Sequence, residues 1–187
     1  MSLEEIVNNI TTDKNTIHSY LPLYERLLKG KKNTAKNVLE IGIYRGGSLK
    51  LWNDYFTNAT VYGIDIDDKH IMENTIINND KIKLIINNGY NDTFVTTEFV
   101  NNNIKFDFML DDGPHTLDSM TQFIKLYSHL MTDDGILIIE DIQSWEWIDK
   151  LKNIVSIDLQ PFIKTYDLRP NKHRYDDIVF TIDKYNV

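Results

Sequence analysis

No cysteine occurs in the 187 residues, which excludes a disulfide framework and thiolate chemistry and points to the cytosol. Basic charge is in short supply. Twenty Lys and Arg stand against 28 Asp and Glu, a formal net charge of −8, whereas nucleic-acid binders usually carry a basic face. No apolar run approaches the roughly 20 residues of a membrane span. Met1-Ser2-Leu3-Glu4-Glu5 is too acidic to open a signal peptide. Neither a nucleic acid nor a membrane is therefore an expected partner. Lys29-Gly30-Lys31-Lys32, a local basic cluster, is expected to be a solvated helix end. Glycine is sparse, with 8 in all, yet three of them fall between positions 42 and 47.

That stretch is the richest in the chain. Val38-Leu39-Glu40-Ile41-Gly42-Ile43-Tyr44-Arg45-Gly46-Gly47-Ser48 reads as a buried strand, a glycine turn and a helix start. A second short strand, Tyr62-Gly63-Ile64-Asp65, ends in an acid about twenty residues later. A carboxylate there takes both hydroxyls of a ribose, while the turn lets backbone approach the rest of the ligand. The spacing Gly-x-x-x-Gly-Gly departs from the dinucleotide fingerprint and suits S-adenosylmethionine (SAM) better than NAD.

Periodicity predicts a helix near Pro22–Leu28 that ends at Gly30. Strands then alternate with helices. The expected strands are Asn37–Gly42, Thr60–Asp65, Ile82–Ile86, Phe106–Leu110 and Gly135–Glu140. The expected helices are Ser48–Phe56, Asp68–Asn78, Asp92–Asn102, Leu117–Leu130 and Trp145–Asn153. Pro161–Tyr166 and Ile178–Ile182 read as a terminal hairpin with no helix between its strands. The expectation is one α/β domain over 1–187. It is a doubly wound, mostly parallel seven-stranded sheet with an antiparallel C-terminal hairpin, and residues 1–35 form a helical segment over the site.

Two acidic clusters close neighbouring strands: Asp111-Asp112-Gly113-Pro114-His115 and Glu140-Asp141. Four carboxylates at one sheet edge repel unless something cationic intervenes, and a hard divalent ion, magnesium first, is the simplest answer. The competing reading of Asp-Asp-Gly-Pro is a plain turn. His115 is the candidate base: a neutral alcohol is a poor nucleophile, and histidine accepts its proton near neutral pH. Trp145 and Trp147 are either an acceptor platform or core packing, and Arg169 and Arg174 are expected as solvated turn charges. His129 is expected to be structural and His70 a surface residue.

Taken together, these residues resemble the metal-dependent class I methyltransferases that modify sugar hydroxyls in macrolide biosynthesis. They are also similar to the wider rhamnosyl O-methyltransferase and cephalosporin-hydroxylase-like group. The resemblance rests on Thr12-Asp13-Lys14 with His18, Tyr20 and Tyr24, on Leu39–Gly42 with Gly46–Leu49 and Trp52, and on Tyr55-Phe56 before Val61–Asp67. It rests also on Asp111–His115, where Pro114 replaces the family's serine, and on Ile139-Glu140-Asp141. The resemblance implies Asp112, Glu140 and Asp141 as magnesium ligands and His115 as general base. It implies Asp65 on the adenosine ribose, Glu40 and Gly42 near the methionine and ribose part, and Asp13, Lys14 and His18 in an N-terminal segment that closes over the cofactor or acceptor. The further expected SAM contacts are Lys14, Tyr44, Gly46, Gly47, Ser48, Ile66, Gly89, Tyr90 and Asp111. The loop Asn88–Asp92 matches the family's adenine-side loop only loosely. The extra N-terminal domain of the macrolide enzymes is expected to be missing, and the expectation that follows is a smaller acceptor, a more open site, or a second subunit that completes it. The leading expectation is methylation of a sugar hydroxyl, on a nucleotide sugar or a glycan. The alternatives are a catechol-type O-methyltransferase and a non-catalytic SAM-binding module.

Overall fold

The computed structural model describes residues 1–186. Its framework is a seven-stranded sheet in the order β3-β2-β1-β4-β5-β7-β6. The parallel part comprises β1 (Asn37–Ile41), β2 (Thr60–Asp65), β3 (Ile82–Ile86), β4 (Phe106–Asp111) and β5 (Met131–Ile139). The strands β6 (Ile163–Asp167) and β7 (Ile178–Asp183) complete it, with β7 antiparallel to both β5 and β6. This is the doubly wound layout the sequence predicts, terminal hairpin included.

The central strands are apolar on both faces because both faces are covered. Val38, Phe108, Leu110, Ile136 and Ile138 point into one core with Trp52 and Tyr55 of α3 (Gly47–Tyr55). Their neighbours Leu39, Met109, Leu137 and Ile139 point into the other. There they meet Phe123 and Ile124 of α5 (Leu117–Tyr127) and Ile148 and Leu151 of α6 (Trp147–Ile154). The period of two along each strand sorts these side chains between the cores.

The N-terminal segment carries α1 (Leu3–Ile6) and α2 (Leu21–Leu28), and α2 starts with Pro22 in its first turn. Several expectations need correction. Asp68–Asn78 is mostly irregular, with one 3-10 turn at Asn74–Ile76, because only Ile76 of this stretch is buried and no apolar stripe exists to anchor a helix. Asp92–Asn102 begins as α4 (Asp92–Val95) and widens into a π turn over Thr96–Val100. The hairpin connection does hold a one-turn helix, α7 (Arg169–Lys172), which has Pro170 in its first turn and closes at His173 in the left-handed region. Lys31 is not solvated: it is 1 % exposed and its ammonium lies 2.9 Å from Asp134.

Candidate active site

The carboxyl ends of β1, β2, β4 and β5 meet at one edge, where parallel sheets of this kind bind ligands. The Gly42 amide donates to the Ile64 carbonyl (2.9 Å) and the Asp112 amide to the Ile41 carbonyl (2.9 Å), so the turns after β1 and β4 lie side by side. Gly42 has φ +92°, and a Cβ there would sit 1.9 Å from the Asp112 carbonyl oxygen. Only glycine permits that approach. Tyr44 (φ 45°), His115 (φ 52°) and Asp141 (φ 56°) also adopt the left-handed region, so backbone strain collects at this edge.

A cavity of about 610 Å³ opens here. Gly42, Tyr44, Asp65, Ile66, Gly89 and Tyr90 line one part of it, and Asp112, His115 and Asp141 the other. Asn87 and Asn88 border it on the β3 side, and exposed His70 stands at its mouth with its ring 5.6 Å from that of Tyr44. Asp65 accepts the Ile43 amide (2.7 Å) and the Tyr44 amide (3.0 Å) on Oδ2, so it also pins the glycine turn. A second cavity of about 420 Å³ lies between residues 9–17 and that turn, reaches Ser48 and Arg45, and shares Asp13, Tyr44 and Asp112 with the first.

Asp112, His115 and Asp141 bring ligand atoms within 4.8 Å of one another. His115 Nε2 lies 3.9 Å from Asp112 Oδ1 and 3.6 Å from Asp141 Oδ2. Glu140 stands outside this trio. It is 1 % exposed, with one oxygen bound by the Lys14 ammonium and the other by the Tyr24 hydroxyl. Lys14, expected on the cofactor, lines neither cavity. It is 1 % exposed, donates to Asp112 Oδ2 at 2.6 Å as well as to Glu140, and lies 3.7 Å from Glu40. Glu40 also lies outside the cavities, where it accepts the Trp52 indole at 3.0 Å. Gly46 and Gly47 shape the turn instead of lining the cavities: Gly46 is left-handed at the N-cap of α3, and Gly47 backs onto Thr11. Asp111 is buried and accepts the Tyr90 hydroxyl. Trp145 is exposed with Arg169 over its ring, Trp147 packs on the core, and neither lines a cavity.

Burial dominates the electrostatics. It pushes the Glu40 carboxyl up to about 7 against the pull of Lys14, and the Asp111 carboxyl likewise to about 7. Burial, with Asp112 repulsion added, raises Glu140 and Asp141 as well. Burial also opposes the Lys14 ammonium, but Asp112, Glu140 and Glu40 outweigh it and hold that group well above its ordinary value. The phenols of Tyr20, Tyr24 and Tyr90 are pushed far up, chiefly by burial, so they remain donors to the acids they face.

Residue-by-residue reading of the sequence missed one layer. Tyr20 donates to Asp141 Oδ1, and His18 Nδ1 lies 2.6 Å from Asp177 Oδ1 and 3.3 Å from Asp141 Oδ1. The resemblance includes His18, Tyr20 and Tyr24 without giving the two tyrosines a role. Their signal was that a buried phenol needs a hydrogen-bond partner. His18, Asp176 and Asp177 form a second buried group of ligand type. The 2.6 Å contact inside it is shorter than the roughly 2.9 Å between neighbouring donors on a small octahedral ion with bonds of about 2.0–2.1 Å, so it is a hydrogen-bonded pair.

No family model matches the chain. It is 31 % identical over 154 residues to the demethylmacrocin O-methyltransferase of Streptomyces fradiae, covering 78 % of this chain and 37 % of that protein. It is 29 % identical over 154 residues to the mycinamicin VI 2''-O-methyltransferase of Micromonospora griseorubida, with the same two coverages of 78 % and 37 %. The chain thus spans well under half the length of these curated relatives. The MycE methyltransferase of the mycinamycin biosynthetic pathway, solved with Mg, SAH and mycinamycin VI, superposes with a TM-score of 0.75 at 22 % identity, over 98 % of this chain and 54 % of that one. The chain has the Rossmann-like methyltransferase fold and is a homologue of the macrolide and rhamnosyl O-methyltransferases.

Proposed function

We propose that the chain transfers a methyl group from SAM to a sugar hydroxyl with the help of a divalent cation, magnesium first. The observation that carries this reading is that one cavity is lined by Asp65 and the glycine turn on one side and by Asp112, His115 and Asp141 on the other. Asp65 Oδ2 holds the turn, and Oδ1, which takes only the Asp67 amide at 3.4 Å, is placed to receive the ribose. Ser48 and the turn residues that line the second cavity would receive the methionyl end. The two carboxylates that converge on the cavity suit a hard ion that keeps some water or substrate oxygens, and the imidazole beside them is left for proton transfer. Asp112 and Asp141 would hold it from the cavity side, with Glu140 behind them. When bound, SAM supplies an electrophilic methyl group and the ion supplies Lewis acidity.

The chain's own residues do the rest. His115, with its side chain 33 % exposed, is placed to take the acceptor's proton on Nε2 as the C–O bond forms. The cavity holds donor and acceptor together, which removes much of the entropic part of the barrier. The strongest support for a sugar acceptor is the set of relatives themselves, one of which is named as a rhamnosyl tetracenomycin-C 2'-O-methyltransferase.

The test is methyl transfer from labelled SAM, with Mg2+ or with EDTA, to nucleotide deoxysugars and to catechols. Product on a sugar only with the metal is expected, and product on catechols alone would replace the sugar reading. His115→Ala should lower kcat by roughly 10²–10⁴-fold and leave SAH affinity within about twofold. A large loss of SAH affinity would instead mark His115 as a cofactor contact.

A further inference from the structure

Building on that proposed function, we propose that Lys14, His18 and Tyr20 are positioning residues for the metal ion. Lys14 grips the inner oxygen of Asp112 and Tyr20, backed by His18, that of Asp141, so that the outer oxygen of each of these two acids faces the cavity.

Asp112 and Asp141 are divided in the same way. Asp112 gives Oδ2 to the Lys14 ammonium at 2.6 Å, while its Oδ1 lies on the His115 side, 3.9 Å from Nε2. Asp141 gives Oδ1 to the Tyr20 hydroxyl, with His18 Nδ1 3.3 Å away, while its Oδ2 lies 3.6 Å from His115 Nε2. Asp177, 0 % exposed, fixes His18 in turn at 2.6 Å, and Ser19 donates to the second Asp177 oxygen at 3.2 Å. Glu140 is held on both oxygens, by Lys14 and by Tyr24.

This arrangement solves two problems. A carboxylate free to rotate about its last bond is a poor ligand for an ion with strict geometry. Hydrogen bonds to one oxygen fix the direction of the other. Asp141 needs this most, because its left-handed backbone (φ 56°) gives its side chain no regular element to lean on. Lys14 also places a positive charge among Glu40, Asp112 and Glu140, so these acids stay together before any ion arrives. A rival view makes Lys14 a competitor that occupies the ion's place. Its burial at 1 % and its absence from both cavity walls speak against that, and the two views predict opposite signs.

The experiment uses the full chain saturated with SAH and titrated with Mn2+, by calorimetry and by the electron paramagnetic resonance spectrum of the bound ion. Tyr20→Phe is the main variant. It keeps the ring, which stacks 4.9 Å from His18 and 5.7 Å from Tyr24, and removes only the hydroxyl. Its Mn2+ affinity should fall by about tenfold, in line with the usual cost of removing a group that orients a ligand. Its Mn2+ spectrum should change, and its SAH affinity should stay within about twofold. Lys14→Met should weaken Mn2+ further, and if it does not fold, Tyr20→Phe alone carries the test. Unchanged Mn2+ affinity in Tyr20→Phe, or tighter binding in Lys14→Met, overturns the inference while the proposed function stands. A wild-type chain that binds no Mn2+ overturns both.

Discussion

Asp65 divides its carboxylate between the glycine turn and the cavity, and this double use sets what its loss should do. Asp65→Ala leaves the Ile43 and Tyr44 amides without their acceptor and removes the proposed ribose contact. Charge-assisted hydrogen bonds are worth about 1.5–3 kcal/mol each, so SAH affinity measured by calorimetry should fall at least tenfold, or ~1.4 kcal/mol. That is the reverse of the pattern expected for His115→Ala, and equal effects from the two variants would contradict the assignment of roles. Asp65, Asp112 and Asp141 were legible in the sequence because each closes a short apolar run, and the end of a parallel strand is where this fold exposes side chains. The fate of Lys14 was not legible. Its partners lie 98 and 126 residues away, and no local pattern records which strand end an N-terminal lysine will meet.

The helix α5 shows how an element aims a residue. Thr116 caps it by accepting the Ser119 amide at 3.1 Å, and Ser119 returns a bond to the Thr116 amide at 3.2 Å. His115 stands immediately before this cap in a left-handed conformation, so the cap fixes the direction from which the imidazole leaves the backbone. Thr116→Ala should cost about 1 kcal/mol in urea unfolding and should also slow turnover. A loss of stability with full activity would show that the cap does not orient His115. Elements with a strong apolar stripe or run, such as α5 and the central strands, were readable to within a few residues. The stretch at Asp68–Asn78 was not, since composition alone suggested a helix where the fold offers only one buried anchor, Ile76. The one-turn α7 was equally hidden, because a four-residue helix is too short to show a period.

At the scale of the whole molecule, ion pairs tie the first forty residues to strands β4 and β5. Lys31, buried at 1 %, bonds Asp134 at 2.9 Å and holds that carboxyl below its ordinary value of 3.8. A carboxyl with a lowered folded pKa adds stability above its unfolded pKa and loses it as pH falls through the folded one. Thermal unfolding of the wild type should therefore lose this contribution as pH drops below about 3.8, whereas Asp134→Asn should lack that component of the decline. Matching slopes in the two proteins below that pH would remove the pair from the account. The same long reach bears on when the molecule becomes competent. Lys14 meets Asp112 across 98 residues, Tyr24 meets Glu140 across 116, and His18 meets Asp177 across 159. Chains are made from the N-terminus, so a growing polypeptide with β1 to β4 already paired still lacks the residues that Tyr24 and His18 grip. The grip on Glu140 forms only after β5 is made, and the His18–Asp177 pair only once the segment leading into β7 has joined the sheet. A chain cut before Asp177 would then retain the glycine turn, Asp65 and the three acids but lack the His18–Asp177 pair behind Asp141, so the acidic centre gains its last support after the cofactor turn has its shape.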